Sequence, residues 1–258
     1  MLLGVDVGGT HTDAVVLKGN RVIAQAKVTT DSKALLTSIA RVLAMVLEDI
    51  DPVEIKRLNL STTLSTNALV EKQTEEVAVI VSAGPGMAPE SFRMGDHYFP
   101  VAGAVDHRGV EMARMNDSEI KSVASQCARA KLRCAAVISK FSTRSQKHEE
   151  EMGRIFAPHM EHITLGHRLS GHLNFPRRIA TAYYNASVWR LFNKFADAVE
   201  ESVLKSGITA PINILKADGG TIPLELARNL PVESILSGPA ASVMGTIALC
   251  KIENDALI

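Results

Sequence analysis

The chain has 258 residues, 46% apolar and 22% charged, which suits one large or two modest soluble globular domains with a real core. Lys+Arg and Asp+Glu both number 28, so the formal charge is zero and the basic excess of a general nucleic-acid binder is missing. Three cysteines, Cys127, Cys134 and Cys250, have no disulfide-framework or metal-site spacing and fit a reducing compartment.

No basic flank precedes the first apolar run, and Asp6 interrupts it, so it does not read as a signal peptide. Strands are predicted over 2–7, 13–18 and 21–28, the last two joined at Gly19-Asn20. Ser32 is the expected cap of a helix over 33–50, with Leu35, Ile39, Val42, Leu43, Val46 and Ile50 on one face. A short strand at 57–60 leads into a helix over 62–71. Three meandering strands, a helix and another strand are the order of a ribonuclease H-like layer, and the alternation of elements says α/β.

Residues 77–81 read as a strand, and 83–109 are rich in Gly, Pro and Met and unassigned. Asp117 is expected to cap a helix with Ile120, Val123, Ala124 and Cys127 inside. A strand at 134–139, a helix at 145–156 and a strand at 163–166 complete the middle third. A long helix starts near Pro176, buries Ile179, Ala182, Ala186, Leu191, Phe195, Val199 and Val203, and stops at Gly207. A strand at 211–215, a helix at 223–229 and a last helix from Ser237 to about Leu249 follow. The segment 235–249 is broken by Ser237, Gly238, Pro239 and Gly245 and is too short for a bilayer. The expectation is a cytoplasmic protein with neither membrane nor nucleic acid as partner.

Four segments carry chemistry. In "DVGGTHTD", a tight turn after a buried strand can aim backbone N–H groups at an anion, and Gly8 and Gly9 let it come close. Thr10 and Thr12 add hydroxyl donors for phosphate oxygens, with His11 between them in the same phosphate site. Asp6, at a strand end, is placed to hold hydrated Mg²⁺, and Asp13 is a second acceptor across the hairpin. A plain glycine hairpin is the alternative, and it needs neither the acids nor the threonines. Thr62, Thr63, Thr66 and Asn67 open a helix behind a strand, either as an anion or carbonyl site or as simple caps. Asp218, Gly219 and Gly220 form either a cleft wall, with Asp218 as general base or water-positioning acid, or an Asx turn. Ala241, Gly245 and Ala248 allow close helix packing, while Ser237 and Gly238 stand at the helix start, facing nucleotide.

Together these segments resemble the hydantoinase/oxoprolinase family within the sugar kinase, heat-shock chaperone and actin superfold. "DVGGTHTD" resembles its first phosphate loop. "STTLSTNALVE" is similar to G-T-T-x-x-T-N-A-L-x-E, and "ADGGT" with "PVESILSGPAASVMG" is similar to its later glycine and S-G-P-A blocks. His11 stands where the family commonly has Phe, and Ser61 where it commonly has Gly. The resemblance implies the N-terminal portion of an ATP-dependent hydrolase that opens a hydantoin or 5-oxoproline ring through a phosphorylated carbonyl, using ATP and Mg²⁺. It implies a first lobe of ribonuclease H-like fold at 1–75 and 174–258, with a small α/β subdomain inserted at 76–173. A second lobe is expected to be absent after Ile258, so this chain alone is expected to bind ATP weakly and to be inactive. A companion hydrolase subunit and an oligomer are expected. A small-molecule kinase of the same superfold and a non-catalytic ATPase-like regulatory subunit are the alternatives.

Other features read as structure. His159, His162, His167 and His172 do not share one face as a metal set. Glu149, Glu150 and Glu151 read as a solvated helix face. Tyr183, Tyr184 and Trp189 read as core or interface, and Cys127 and Cys134 as unreactive thiols.

Overall fold

The computed structural model describes residues 1–31, 34–169 and 172–249. The expected cap Ser32, Cys250 and the apolar end at 257–258 lie outside these residues.

In chain order, β1 (Leu2–Val7), β2 (His11–Lys18) and β3 (Arg21–Thr29) precede α1 (Leu35–Val46), β4 (Arg57–Thr62) and α2 (Leu64–Val70). Next come β5 (Val77–Ser82), β6 (Tyr98–Pro100), β7 (Ala104–Val105), β8 (Glu111–Ala113) and α3 (Asp117–Arg129). Then follow β9 (Cys134–Ser139), α4 (Lys147–Phe156), β10 (His162–Leu165), α5 (Gly166–Leu169) and the 31-residue α6 (Phe175–Lys205). Last are β11 (Ile212–Leu215), β12 (Thr221–Pro223), α7 (Leu224–Ala227) and α8 (Ser237–Leu249). None of the described helices is long and apolar enough to cross a membrane.

The chain forms two compact units, one of Met1–Gln73 with the chain from Leu191 onward, the other of Thr74–Arg190. In the first, a six-stranded sheet runs β12-β11-β4-β1-β2-β3. The meander β1-β2-β3 is antiparallel, and β1, β4 and β11 are parallel. Side chains alternate across a strand, so Leu3, Val5, Val7, Ala14, Val16, Leu58 and Leu60 share one face. They pack on Ile39, Val42, Leu43 and Val46 of α1 and on Phe192, Phe195, Val199 and Val203 of α6. Each such aliphatic side chain contributes about 1.5–3 kcal/mol on burial. The same alternation puts Gly4, Asp6, Asp13 and Val15 on the opposite face.

The second unit is a parallel sheet in the order β10-β9-β5-β6. All six residues of β5 and of β9 are buried, as expected of strands covered on both faces. One face packs on Phe175, Ile179, Ala182 and Ala186 of α6; the other packs on α3 and α4 through Ile120, Ala124, Met152 and Phe156. β6, β7 and β8 fall in or beside the unassigned glycine-rich stretch.

Two expectations change here. Asn116, not Asp117, caps α3: its side-chain oxygen accepts from the N–H groups of Ser118 at 3.1 Å and Glu119 at 3.3 Å. Glu149 is not solvated, because its side of α4 faces the ends of β9 and β10. Its carboxylate is fully buried and accepts from the N–H groups of Ser139 at 2.8 Å and His167 at 2.7 Å.

Candidate functional site

The four polar segments converge in the first unit, at the carboxyl ends of β1, β4 and β11. β1 and β2 turn through Gly8-Gly9-Thr10, with the Gly8 N–H on the His11 carbonyl at 2.9 Å. Gly9, Thr10 and His11 form an exposed tip. A Cβ on Gly9 would lie 3.2 Å from the Asn67 side-chain nitrogen, so the second segment leans directly over the turn. The Thr62 hydroxyl donates to the Val7 carbonyl at 3.1 Å and accepts from the Leu64 N–H at 3.1 Å, which pins the start of α2 to the end of β1.

The last segment docks on the second. The Leu236 N–H donates to the Thr66 hydroxyl at 2.9 Å, and the Ser237 hydroxyl to the Thr62 carbonyl at 3.3 Å. A Cβ on Gly238 would lie 3.2 Å from Thr63. Leu236 sits at φ 63°, a left-handed conformation that costs a branched side chain energy and that tertiary contacts must hold. The third segment joins through the Ala217 N–H on the Glu233 carbonyl at 3.3 Å. A Cβ on Gly219, at φ 81°, would lie 3.0 Å from Met244 of α8.

On the open face of the sheet, Asp6 stands opposite Asp13 on β2 and beside Ser61 on β4. The Ser61 hydroxyl donates a hydrogen bond to Asp6 Oδ1. Asp13 pairs with Lys27 of β3 at 2.9 Å. A cavity of about 950 Å³ opens over this row, with Ala241, Met244, Gly245 and Ala248 of α8 along its wall. The small residues of α8 therefore line a cavity.

The geometry reassigns several predicted residues. Thr12 is fully buried on the core face, its hydroxyl 2.8 Å from that of Thr30, so it does not reach the turn surface. Thr62 and Ser237 are also fully buried, and their side chains brace the junction instead of facing a ligand. Asp218 forms an Asx turn on the Gly220 N–H at 2.8 Å and pairs with Lys216 at 2.7 Å. The Lys216 ammonium, then the Gly220 N–H, hold the Asp218 carboxyl below the usual carboxylate range. Gly8, Gly9, Thr10, His11, Thr63, Thr66, Asn67, Gly219, Gly220 and Gly238 remain at or around the convergence. Lys27 reaches Asp13 only through strand register, and Lys216 reaches Asp218 and Glu233 only through the turn after β11.

Residues 2–160 match the model of the hydantoinase/oxoprolinase N-terminal region, and residues 178–258 match that of hydantoinase/oxoprolinase. The chain belongs to this family. It is 23% identical to caprolactamase subunit alpha of Pseudomonas jessenii, over 96% of this chain and 40% of that protein. It is 22% identical to 5-oxoprolinase of Saccharomyces cerevisiae, over 98% of this chain and 24% of that protein. Among solved structures, the nucleotide-free acetone carboxylase superposes with a TM-score of 0.83 at 16% identity, over 95% of this chain and 40% of that one. The ATP-dependent caprolactamase from Pseudomonas jessenii superposes with a TM-score of 0.79 at 20% identity, over 96% and 40%. These structures share the α/β fold. The chain thus spans 40% or less of the length of these relatives.

Proposed function

We propose that the chain is the nucleotide-binding N-terminal portion of an ATP-dependent cyclic-amide hydrolase. Its lobe, at 1–75 and 174–258, is read as ribonuclease H-like, with an α/β subdomain inserted at 76–173. The sheet order, a three-strand meander continued by parallel strands, supports this. The observation that carries the functional reading is the convergence of the polar segments around the Gly8-Gly9 turn, with Asp6 beneath it. Relatives named ATP-dependent caprolactamase and 5-oxoprolinase support the reaction class. A relative named as a subunit alpha supports a companion subunit, and an oligomer is proposed with it.

An amide carbonyl resists water because its nitrogen donates into it. Transfer of the γ-phosphoryl group of ATP to the carbonyl oxygen, with ADP leaving, turns that oxygen into a leaving group. Water then attacks the ring carbon and the C–N bond breaks with the nitrogen taking a proton; the acyl phosphate that remains is hydrolysed by a second water to carboxylate and phosphate. The turn at Gly8–Thr10, His11, Thr63 and Asn67 would cradle phosphate oxygens, and Gly219 and Gly220 would wall the cleft. Such catalysis is mostly positioning and charge stabilisation. Asp13, or Asp218 as an ionised acceptor, would orient the attacking water.

Asp6 fits a hard divalent cation. It offers a carboxylate at the cavity with Oδ1 already engaged, and Mg²⁺ commonly takes one or two carboxylates together with waters and substrate phosphates. When bound, Mg²⁺ would offset phosphate charge.

The test is to incubate the full-length protein with ATP, Mg²⁺ and each of hydantoin, 5-oxoproline and caprolactam. Free phosphate and opened ring in equal amounts are expected, with Asp6→Asn slowing turnover by about 100-fold or more. A stable phosphorylated product would instead make it a kinase. No ring-dependent ATP consumption would end the hydrolase reading.

A further inference from the structure

Across the open face of the first unit's sheet, four neighbouring strands place polar residues at one level: Lys27 on β3, Asp13 on β2, Asp6 on β1 and Ser61 on β4. The two acids in the middle are direct cross-strand partners, an arrangement that repels when both are charged. Each is engaged from its outer side. Lys27 takes Asp13 at 2.9 Å, and the Ser61 hydroxyl takes Asp6 Oδ1. Among the described residues, Oδ1 is the only oxygen of the Asp6 carboxylate with a hydrogen-bond partner.

Lys27 is well exposed, whereas Ser61, on the cavity wall, is only 6% exposed, so its hydroxyl meets less competition from water. The terminal torsion of an aspartate is broad and nearly two-fold, so an unheld carboxylate presents either oxygen in many orientations. A single donor on Oδ1 breaks that symmetry and removes the entropy that ligation would otherwise have to remove.

We infer that Ser61 is a positioning residue for Asp6: it holds Oδ1 so that Oδ2 alone is presented to the divalent cation of a metal–nucleotide complex. This rests on the nucleotide reading of the site. It gives the serine at this position a role separate from strand pairing, which its backbone performs whatever its side chain.

The test uses the full-length protein, Mn²⁺ as the probe metal and ADP, with metal uptake followed by loss of the free Mn²⁺ electron paramagnetic resonance signal. Ser61→Thr keeps the hydroxyl; Ser61→Val has the same shape without it, so any packing defect is common to both. Ser61→Val and Ser61→Ala are expected to weaken Mn²⁺ uptake by about tenfold, with Ser61→Thr close to the parent. ADP binding measured in EDTA is expected to be the same in all four proteins, a split that a general loss of structure would not produce. Equal Mn²⁺ affinity in Ser61→Thr and Ser61→Val would overturn the inference while leaving the nucleotide reading intact. A parent protein that takes up no Mn²⁺ with ADP would sink the nucleotide reading, and the inference with it.

Discussion

Burial lowers the pKa of His162 to about 4, because desolvation disfavours the imidazolium. The ring is stacked on Trp189, with centroids 4.5 Å apart and planes 9° off parallel, and its Nε2 lies 2.9 Å from the Thr164 hydroxyl. An unfolded His takes its proton near 6.5, so between the two values the unfolded chain binds more protons than the folded one. Stability is therefore full above about pH 6.5 and falls by on the order of 3 kcal/mol as pH drops through 4. Urea titrations across that range are expected to show the slope, and His162→Phe to flatten it. A nuclear magnetic resonance titration placing this imidazole near 6.5 would refute the assignment. Glu149 teaches the complementary lesson. Three successive glutamates look solvated in sequence, but the helix turns the first of them into a buried cage of N–H donors.

Among the elements, the long and strongly patterned ones were legible. α1 buries the predicted Ile39, Val42, Leu43 and Val46, and β5 and β9 are the uninterrupted apolar runs that doubly covered parallel strands require. The short strands β6, β7, β8 and β12 have two or three residues each, too few for a period to show. Caps are equally local and easily displaced by one residue. Two cap-forming residues stand together at 116 and 117, and the non-helical φ of −99° and ψ of 100° at Asn116 bring its side-chain oxygen, not that of Asp117, to the free N–H groups. Asn116→Ala is expected to lower unfolding stability by about 1 kcal/mol, with Asp117→Ala costing clearly less. Equal losses in denaturant titrations would return the capping role to Asp117.

For the whole molecule, the central fact is that β11 pairs with β4 and β4 with β1, so distant stretches of chain complete one sheet. Stability is not uniform within the two units. β5 and β9 are wholly buried, while β3 is an edge strand with most of its residues exposed, and α8 is exposed along much of its length. Amide exchange is expected to be slowest in β5 and β9, slow in β1 and β4, and fastest in β3 and α8. Protection of α8 equal to that of β9 would contradict this ordering.

The α/β pattern and the four polar segments are legible along the chain, because strand and helix periods and glycine-bounded turns are local properties. The sequence also carried the family, since those segments keep their order along the chain. Which polar residues reach the cavity depends on long-range strand pairing. One-residue alternation sends Thr12 into the core and Asp13 to the cavity, and cross-strand register, invisible in one dimension, brings Ser61 to Asp6 and Lys27 to Asp13.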